Sequence, residues 1–217
     1  MRQPATLPMK NEMDANMRPY NLPDHVLIDP DATTNDFLVW QPSETVIVLG
    51  QSNQAETAVH TDLARQDGIP VYKRHSGGQT VILTPQMLVI SVRLIYEKLE
   101  NPQVYFRRIN QIILTALVNL GIEDLVEKGI SDIAIGEKKI LGSSIYRRKN
   151  MVFYHAVLNI AETPQFIGRY LKHPVREPEY RVGRKHEEFV TSIHLAGYPL
   201  AVESVRKVLT NLFNQKI

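Results

Sequence analysis

Two short segments hold most of the side chains that could do chemistry. The first is Tyr72-Lys73-Arg74-His75-Ser76-Gly77-Gly78-Gln79-Thr80-Val81. Two cations and a serine precede a glycine pair between two strand-like stretches. Glycine lets a backbone approach a ligand closely, and successive amide N–H groups beside an arginine make an anion cradle. A tight turn between strands would use the same two glycines. The second segment runs from Ser131 through Gly136-Glu137-Lys138-Lys139-Ile140-Leu141-Gly142-Ser143-Ser144 to Arg147 and Arg148. Lys139 stands at a turn-to-strand boundary, followed by small residues against which a slim ligand could lie, and its ammonium is suited to neutralising carboxylate or phosphate. A solvated hairpin tip would also carry a Lys-Lys pair. A later stretch, Glu179 to Phe189, brings Arg181, Arg184 and Lys185, which could face phosphates, an acidic partner or only solvent.

Other chemistries are excluded or disfavoured. The chain has no cysteine, which removes disulfides, thiolate metal sites, Fe–S clusters and cysteine nucleophiles. His75, His155 and His186 do not stand at metal-ligand spacing with nearby carboxylates, so no protein-ligated metal is expected. Residues 1–60 carry three basic and eight acidic side chains, so with a net charge of +2 overall the remainder carries +7. That surplus lies with the later motifs and fits an anionic ligand or an acidic partner, but it lacks the cation density of a nucleic-acid binder. Apolar runs such as Val46 to Leu49 and Met87 to Val92 are far shorter than the roughly 20 residues of a membrane span, and no signal-peptide pattern opens the chain. The expected location is cytoplasmic, with neither membrane nor nucleic acid as a partner.

The elements that must position these residues follow from periodicity. Thr45 to Leu49, the residues after Pro70, and Met87 to Leu94 read as strands, and Glu56 to Gln66 is compatible with one helix before Gly68. Asn101 can cap a helix with Pro102 in its first position. Tyr105, Ile109, Ile112, Ile113, Ala116, Leu117 and Leu120 then repeat at helical intervals until Gly121. Ser131 to Ile135 and Lys139 to Leu141 flank a hairpin turn at 136–138, Val152 to Ile160 reads as another strand, and Ala201 to Phe213 as a closing helix. Residues 1–22, with four prolines among the first 23 positions, are expected to be an irregular arm before one domain over 23–217. Hairpin-ordered strands with separate helices predict an α+β fold with a mixed, largely antiparallel sheet packed with helices.

Taken together, Arg74-His75-Ser76-Gly77-Gly78, then Gly136 to Ser144, then the strand Tyr154-His155-Ala156-Val157-Leu158-Asn159 resemble the lipoate-protein ligase A family, whose superfamily includes octanoyltransferases and biotin ligases. The likeness in order and spacing covers roughly residues 36–195, with Gly50-Gln51-Ser52-Asn53 included. It implies a biotin/lipoate ligase-like catalytic domain that activates lipoate with ATP as lipoyl-AMP and transfers the lipoyl group to a lysine of a carrier domain. Such a carrier would be glycine cleavage H-like or an E2 lipoyl domain, and Mg²⁺ would arrive with ATP. By the same resemblance Lys139 is the catalytic lysine. Arg74, His75, Ser76, Gly77, Gly78, Gly142, Ser143, Ser144 and His155 bind the adenylate, while Arg147, Arg181 and Arg184 are candidate phosphate or carrier contacts. Departures include Gln79 for a third glycine, Val81 to Thr84 for an aromatic-His-Asp run, and Leu141 for a serine. The chain ends soon after the closing helix, so the accessory domain of longer ligases is expected to be absent and a separate accessory subunit to stand in for it. Octanoyl or lipoyl transfer is the first alternative, although the resemblance there calls for a cysteine. A non-catalytic binding subunit is the second, and biotin ligation ranks below both.

Overall fold

The computed structural model describes residues 17–98 and 100–217. Its strands are β1 (Arg18–Pro19), β2 (Asp36–Trp40), β3 (Val46–Leu49), β4 (Val71–Lys73), β5 (Val81–Leu83), β6 (Met87–Ile95), β7 (Leu125–Lys128), β8 (Asp132–Ile135), β9 (Lys138–Arg148) and β10 (Met151–Asn159). The helices are α1 (Ala55–Ala58), α2 (Thr61–Gln66), α3 (Pro102–Asn119), α4 (Pro164–Tyr170), α5 (His186–Phe189) and α6 (Val202–Lys216). The fold is α+β, with two sheets where the sequence pattern pointed to one. The larger has the order β2-β6-β10-β9-β8-β7 and is antiparallel throughout; the smaller, β1-β4-β3-β5, mixes two parallel pairs with one antiparallel pair.

Strand alternation divides the larger sheet cleanly. Leu88, Ile90, Val92 and Leu94 of β6, with Val152, Tyr154, Ala156 and Leu158 of β10, face α3 and α6 and form the main core. Asn101 caps α3 as its sequence predicts, its side chain accepting from the Gln103 amide at 3.0 Å. The opposite face, with Val89, Ser91, His155 and Val157, looks toward the smaller sheet. There Tyr20, Trp40, Val46, Val48, Tyr72, Leu83 and Val89 form a second layer of core. No helix among the described residues is long and apolar enough to cross a membrane.

Two expectations are corrected. The single helix over 56–66 is two short ones, because fully buried Val59 bridges to Leu171 and the His60 amide donates to the Tyr170 carbonyl, which breaks the helical ladder. Of the arm expected over 1–22, positions 1–16 lie outside the described residues. The remainder is ordered against the body: Arg18 and Pro19 pair with Tyr72 and Lys73, and Tyr20 is buried.

Candidate active site

A cavity of about 480 Å³ lies between the two sheets, within the range usual for small-molecule sites. Its sheet-side floor is a cross-strand row: Asp132 on β8, Gly142 on β9, Val157 on β10, Val89 on β6. A polar row runs beside it through Ser144, His155 and Ser91. Val48, Val81 and Leu83 of the smaller sheet line the opposite wall.

Lys139 lies at the Asp132 end of the floor, its Nζ 2.9 Å from Asp132 Oδ1. The other oxygen of Asp132 accepts from the Tyr180 hydroxyl at 2.7 Å, and Tyr180 in turn packs on Phe189 of α5. Asp132 and Tyr180 were missed in the sequence, where nothing ties Tyr180 to a strand 48 positions earlier. A β-bulge aims the lysine. Between Ile133 and Ala134 the partners on β9 jump from Leu141 to Lys139, so positions 139 and 142, which an unbroken strand would put on opposite faces, share one. A Cβ on Gly142 would meet Lys139 Cε and Nζ at 2.6 Å, so glycine makes the room over which the ammonium lies.

The Arg74 to Gln79 loop closes the cavity from the smaller sheet. Arg74 is buried, and desolvation lowers its pKa to about 10. Its donors are spent on the loop and on β3: Nε on Ser76 Oγ, Nη1 on the Val48 carbonyl of β3, Nη2 on the carbonyls of Gly77 and Gln79. Ser76 Oγ, accepting from Arg74, lies 2.6 Å from His155 Nε2. Burial first, then the Arg74 charge, holds the His155 pKa well below 6.5. The neutral imidazole and the Ser76 hydroxyl thus share one hydrogen bond. Ser144 Oγ donates to the Gly77 carbonyl at 2.9 Å and ties the loop to β9. Gly78 has φ +90°, a left-handed conformation that favours glycine. Gly50, part of the resemblance but given no role in it, leaves the space into which the Gly78 carbonyl fits. Gln79, in place of a third glycine, donates from its amide to the Arg176 carbonyl at 2.8 Å and so bridges the loop to the wall at 174–178.

The structure thus brings Arg74, Gly78, Lys139, Gly142, Ser143, Ser144, His155 and Arg181 to the cavity and leaves the other residues marked from the sequence outside its lining. His75 is exposed beside Tyr146. Ser76 is a buried support, and Gly77 is exposed without a left-handed φ. Arg147 is exposed, donating to the Glu100 carbonyl, and Arg184 spends its donors on the carbonyls of Arg181, Glu137 and Tyr180. Ser143 borders the cavity, yet it pairs with Ala156 on the helix-facing side and its hydroxyl donates to the Ser131 carbonyl. Arg181 is buried over the Phe189 ring, its Nε donating to the Arg184 carbonyl and its Nη2 without a hydrogen-bond partner. The following residue, Val182, holds φ +52°, an outlier for a β-branched side chain. Burial, then the nearby Arg181 charge, brings the pKa of His186 down to about 4. Among the described residues no group of three or more His, Asp or Glu side chains gathers to hold a metal.

The model of the lipoyl protein ligase A/B catalytic domain matches residues 24–214. The chain belongs to this family. Over 154 residues it is 30% identical to the lipoate-protein ligase A of Psychrobacter cryohalolentis, a stretch that makes up 69% of this chain and 42% of that protein. Solved structures similar to it include the ligase of a bi-partite lipoate protein ligase system, studied with its E2 lipoyl domain, from Thermoplasma acidophilum. That likeness has TM-score 0.73 and 23% identity and covers 85% of this chain and 71% of that one. A lipoate-protein ligase A bound with ATP is similar with TM-score 0.73 and 21% identity, over 92% of this chain and 82% of that one. These likenesses establish the family fold. The chain spans about half the length of the first curated relatives that it matches.

Proposed function

We propose that residues 23–217 form a lipoate-protein ligase catalytic domain that works in the cytoplasm, activates lipoate with ATP as lipoyl-AMP, and transfers the lipoyl group to a carrier lysine. One observation carries the reading: the Lys139 ammonium is held over Gly142 at one end of an apolar slot, with the Gly78 loop across it. Adenylate formation and amine attack both place negative charge on the α-phosphate and carbonyl oxygens. A fixed ammonium that can exchange Asp132 for those oxygens stabilises that charge, and the slot orients the acyl chain. Arg74, Ser76 and His155 act from behind, holding the Gly78 backbone against the ligand, while the unpaired Arg181 Nη2 is a further donor for phosphate. Mg²⁺ enters with ATP, since it prefers phosphate oxygens and water; both Asp132 oxygens are already engaged by Lys139 and Tyr180. The carrier is a glycine cleavage H-like protein or an E2 lipoyl domain. A separate accessory subunit assists activation, a reading supported by the bi-partite system of the Thermoplasma ligase.

Acyl transfer through a serine ester is disfavoured, because the hydroxyls of Ser143 and Ser144 donate to backbone carbonyls, and His155, the cross-strand neighbour of Ser144, is engaged with Ser76. The test is to incubate the protein with apo carriers and either lipoate, ATP and Mg²⁺ or synthetic lipoyl-AMP, then weigh the carriers by mass spectrometry. Lys139→Ala should lower transfer about 10² to 10³-fold, about 3–4 kcal/mol, while Lys138→Ala, at the exposed hairpin end, should be mild. A Lys139→Ala protein with native circular dichroism and wild-type transfer would overturn the reading.

A further inference from the structure

The floor of the slot has a direction. From Gly142 on β9 it crosses Val157 on β10 to Val89 on β6, two strand spacings or roughly 9–10 Å, comparable to an extended eight-carbon chain. Beside Val89 the cavity is lined by Tyr20. That ring packs with Val48, Leu83 and Val89, with Trp40 in the same cluster. It is also fixed in place: the Tyr20 hydroxyl donates to Asp24 Oδ1 at 2.7 Å, and Ser91 donates to the other oxygen of Asp24 at 2.6 Å. Asp24 and Ser91 are fully buried, and Ser91 stands opposite His155 in the polar row. Two buried groups, Asp24 of the N-terminal segment and Ser91 of β6, thus hold one aromatic ring against the Val89 side of an acyl-sized slot.

On the reading under Proposed function, we infer that Tyr20, held by Asp24 and Ser91, is the end wall of the acyl site and sets the longest acyl chain that the protein accepts. A smaller residue at 20 deepens the slot and a larger one shortens it, with the chemistry at Lys139 unaltered. The backbone pairing of Arg18 and Pro19 with β4 leads the chain directly to this position.

The probes are non-hydrolysable acyl-sulfamoyl-adenosines with straight chains of six, eight, ten and twelve carbons, titrated by calorimetry into the full chain. Tyr20→Val should move the tightest-binding length up by at least two carbons, and Tyr20→Trp should move it down or weaken the eight-carbon probe more than tenfold while sparing the six-carbon one. Because either change leaves Asp24 short of a partner, the pair Tyr20→Leu with Asp24→Asn serves where a single variant does not fold. It should also favour longer chains. If the wild type binds a preferred length and folded variants keep the same preference, the end-wall assignment is overturned while the ligase reading stands. If the wild type binds none of the probes, the ligase reading falls and this inference with it.

Discussion

Replacing Ser76 with alanine removes one oxygen shared by two buried partners. Arg74 Nε donates to it at 2.9 Å, and it shares a second hydrogen bond with His155 Nε2 at 2.6 Å. Neither partner can turn elsewhere, because the other Arg74 nitrogens are fixed on Val48, Gly77 and Gln79 and the imidazole is walled in by strands. Each buried polar group left unpaired costs about 1–3 kcal/mol. With partial relaxation the expected loss is about 2–4 kcal/mol, which at this chain length lowers Tm by roughly 5–15 °C. Melts followed by circular dichroism on wild type, Ser76→Ala, His155→Phe and the double variant test it. The two single losses should exceed the double loss when added, because both delete the same hydrogen bond. A Tm drop under about 2 °C for Ser76→Ala, or strict additivity, would refute the claim that this oxygen supports the loop.

Gly78→Ala should weaken binding of an acyl-adenylate analogue and cost about 1–3 kcal/mol, since its Cβ would sit at φ +90° and 3.0 Å from Arg74 Nη2, whereas Gly77→Ala, with open space around it, should be mild; equal effects in calorimetric titrations would contradict this. The depressed pKa values of His155 and His186 mean that the unfolded chain binds protons the fold refuses, so each removes stability as pH falls below about 6.5, at up to about 1.4 kcal/mol per unit. His186→Gln should therefore flatten the stability profile between pH 6 and 4.5 relative to wild type, with the opposing contribution of Asp24, whose pKa burial raises, common to both; unchanged slopes would count against it. Tyr180→Phe should cost about 1 kcal/mol, or about 2–4 °C, by freeing one Asp132 oxygen, and an unshifted melt would show that the contact contributes nothing.

Local signals in the sequence carried far. Asn101-Pro102 and the apolar repeat placed α3, and the turn at Gly136 placed the hairpin of β8 and β9, because capping and turn chemistry act over a few residues. The short edge strand β7, Leu-Val-Glu-Lys, lacks an alternation long enough to stand out. The cap of α4 at Thr163-Pro164 was a readable signal that went unused. In the site, the residue types of the motifs were readable but the division of labour was not. Arg74 and Ser76 look like ligand contacts until their partners are known, and those partners lie up to 79 positions away. Tyr20, Gly50, Asp132 and Tyr180 owe their places to such long-range pairings, which neither periodicity nor spacing encodes.

The interval between Lys139 and Gly142 is odd, and an odd interval between two residues that must look the same way along a strand can exist only if the strand holds a spare residue. The bulge is thus written into the spacing itself. A one-residue deletion between these positions would remove that spare residue and leave an even interval, which an unbulged strand keeps on one face, whereas a one-residue insertion beside an intact bulge would turn the ammonium out of the cavity. Parity, more than composition, is what separates Lys139 from its neighbour Lys138.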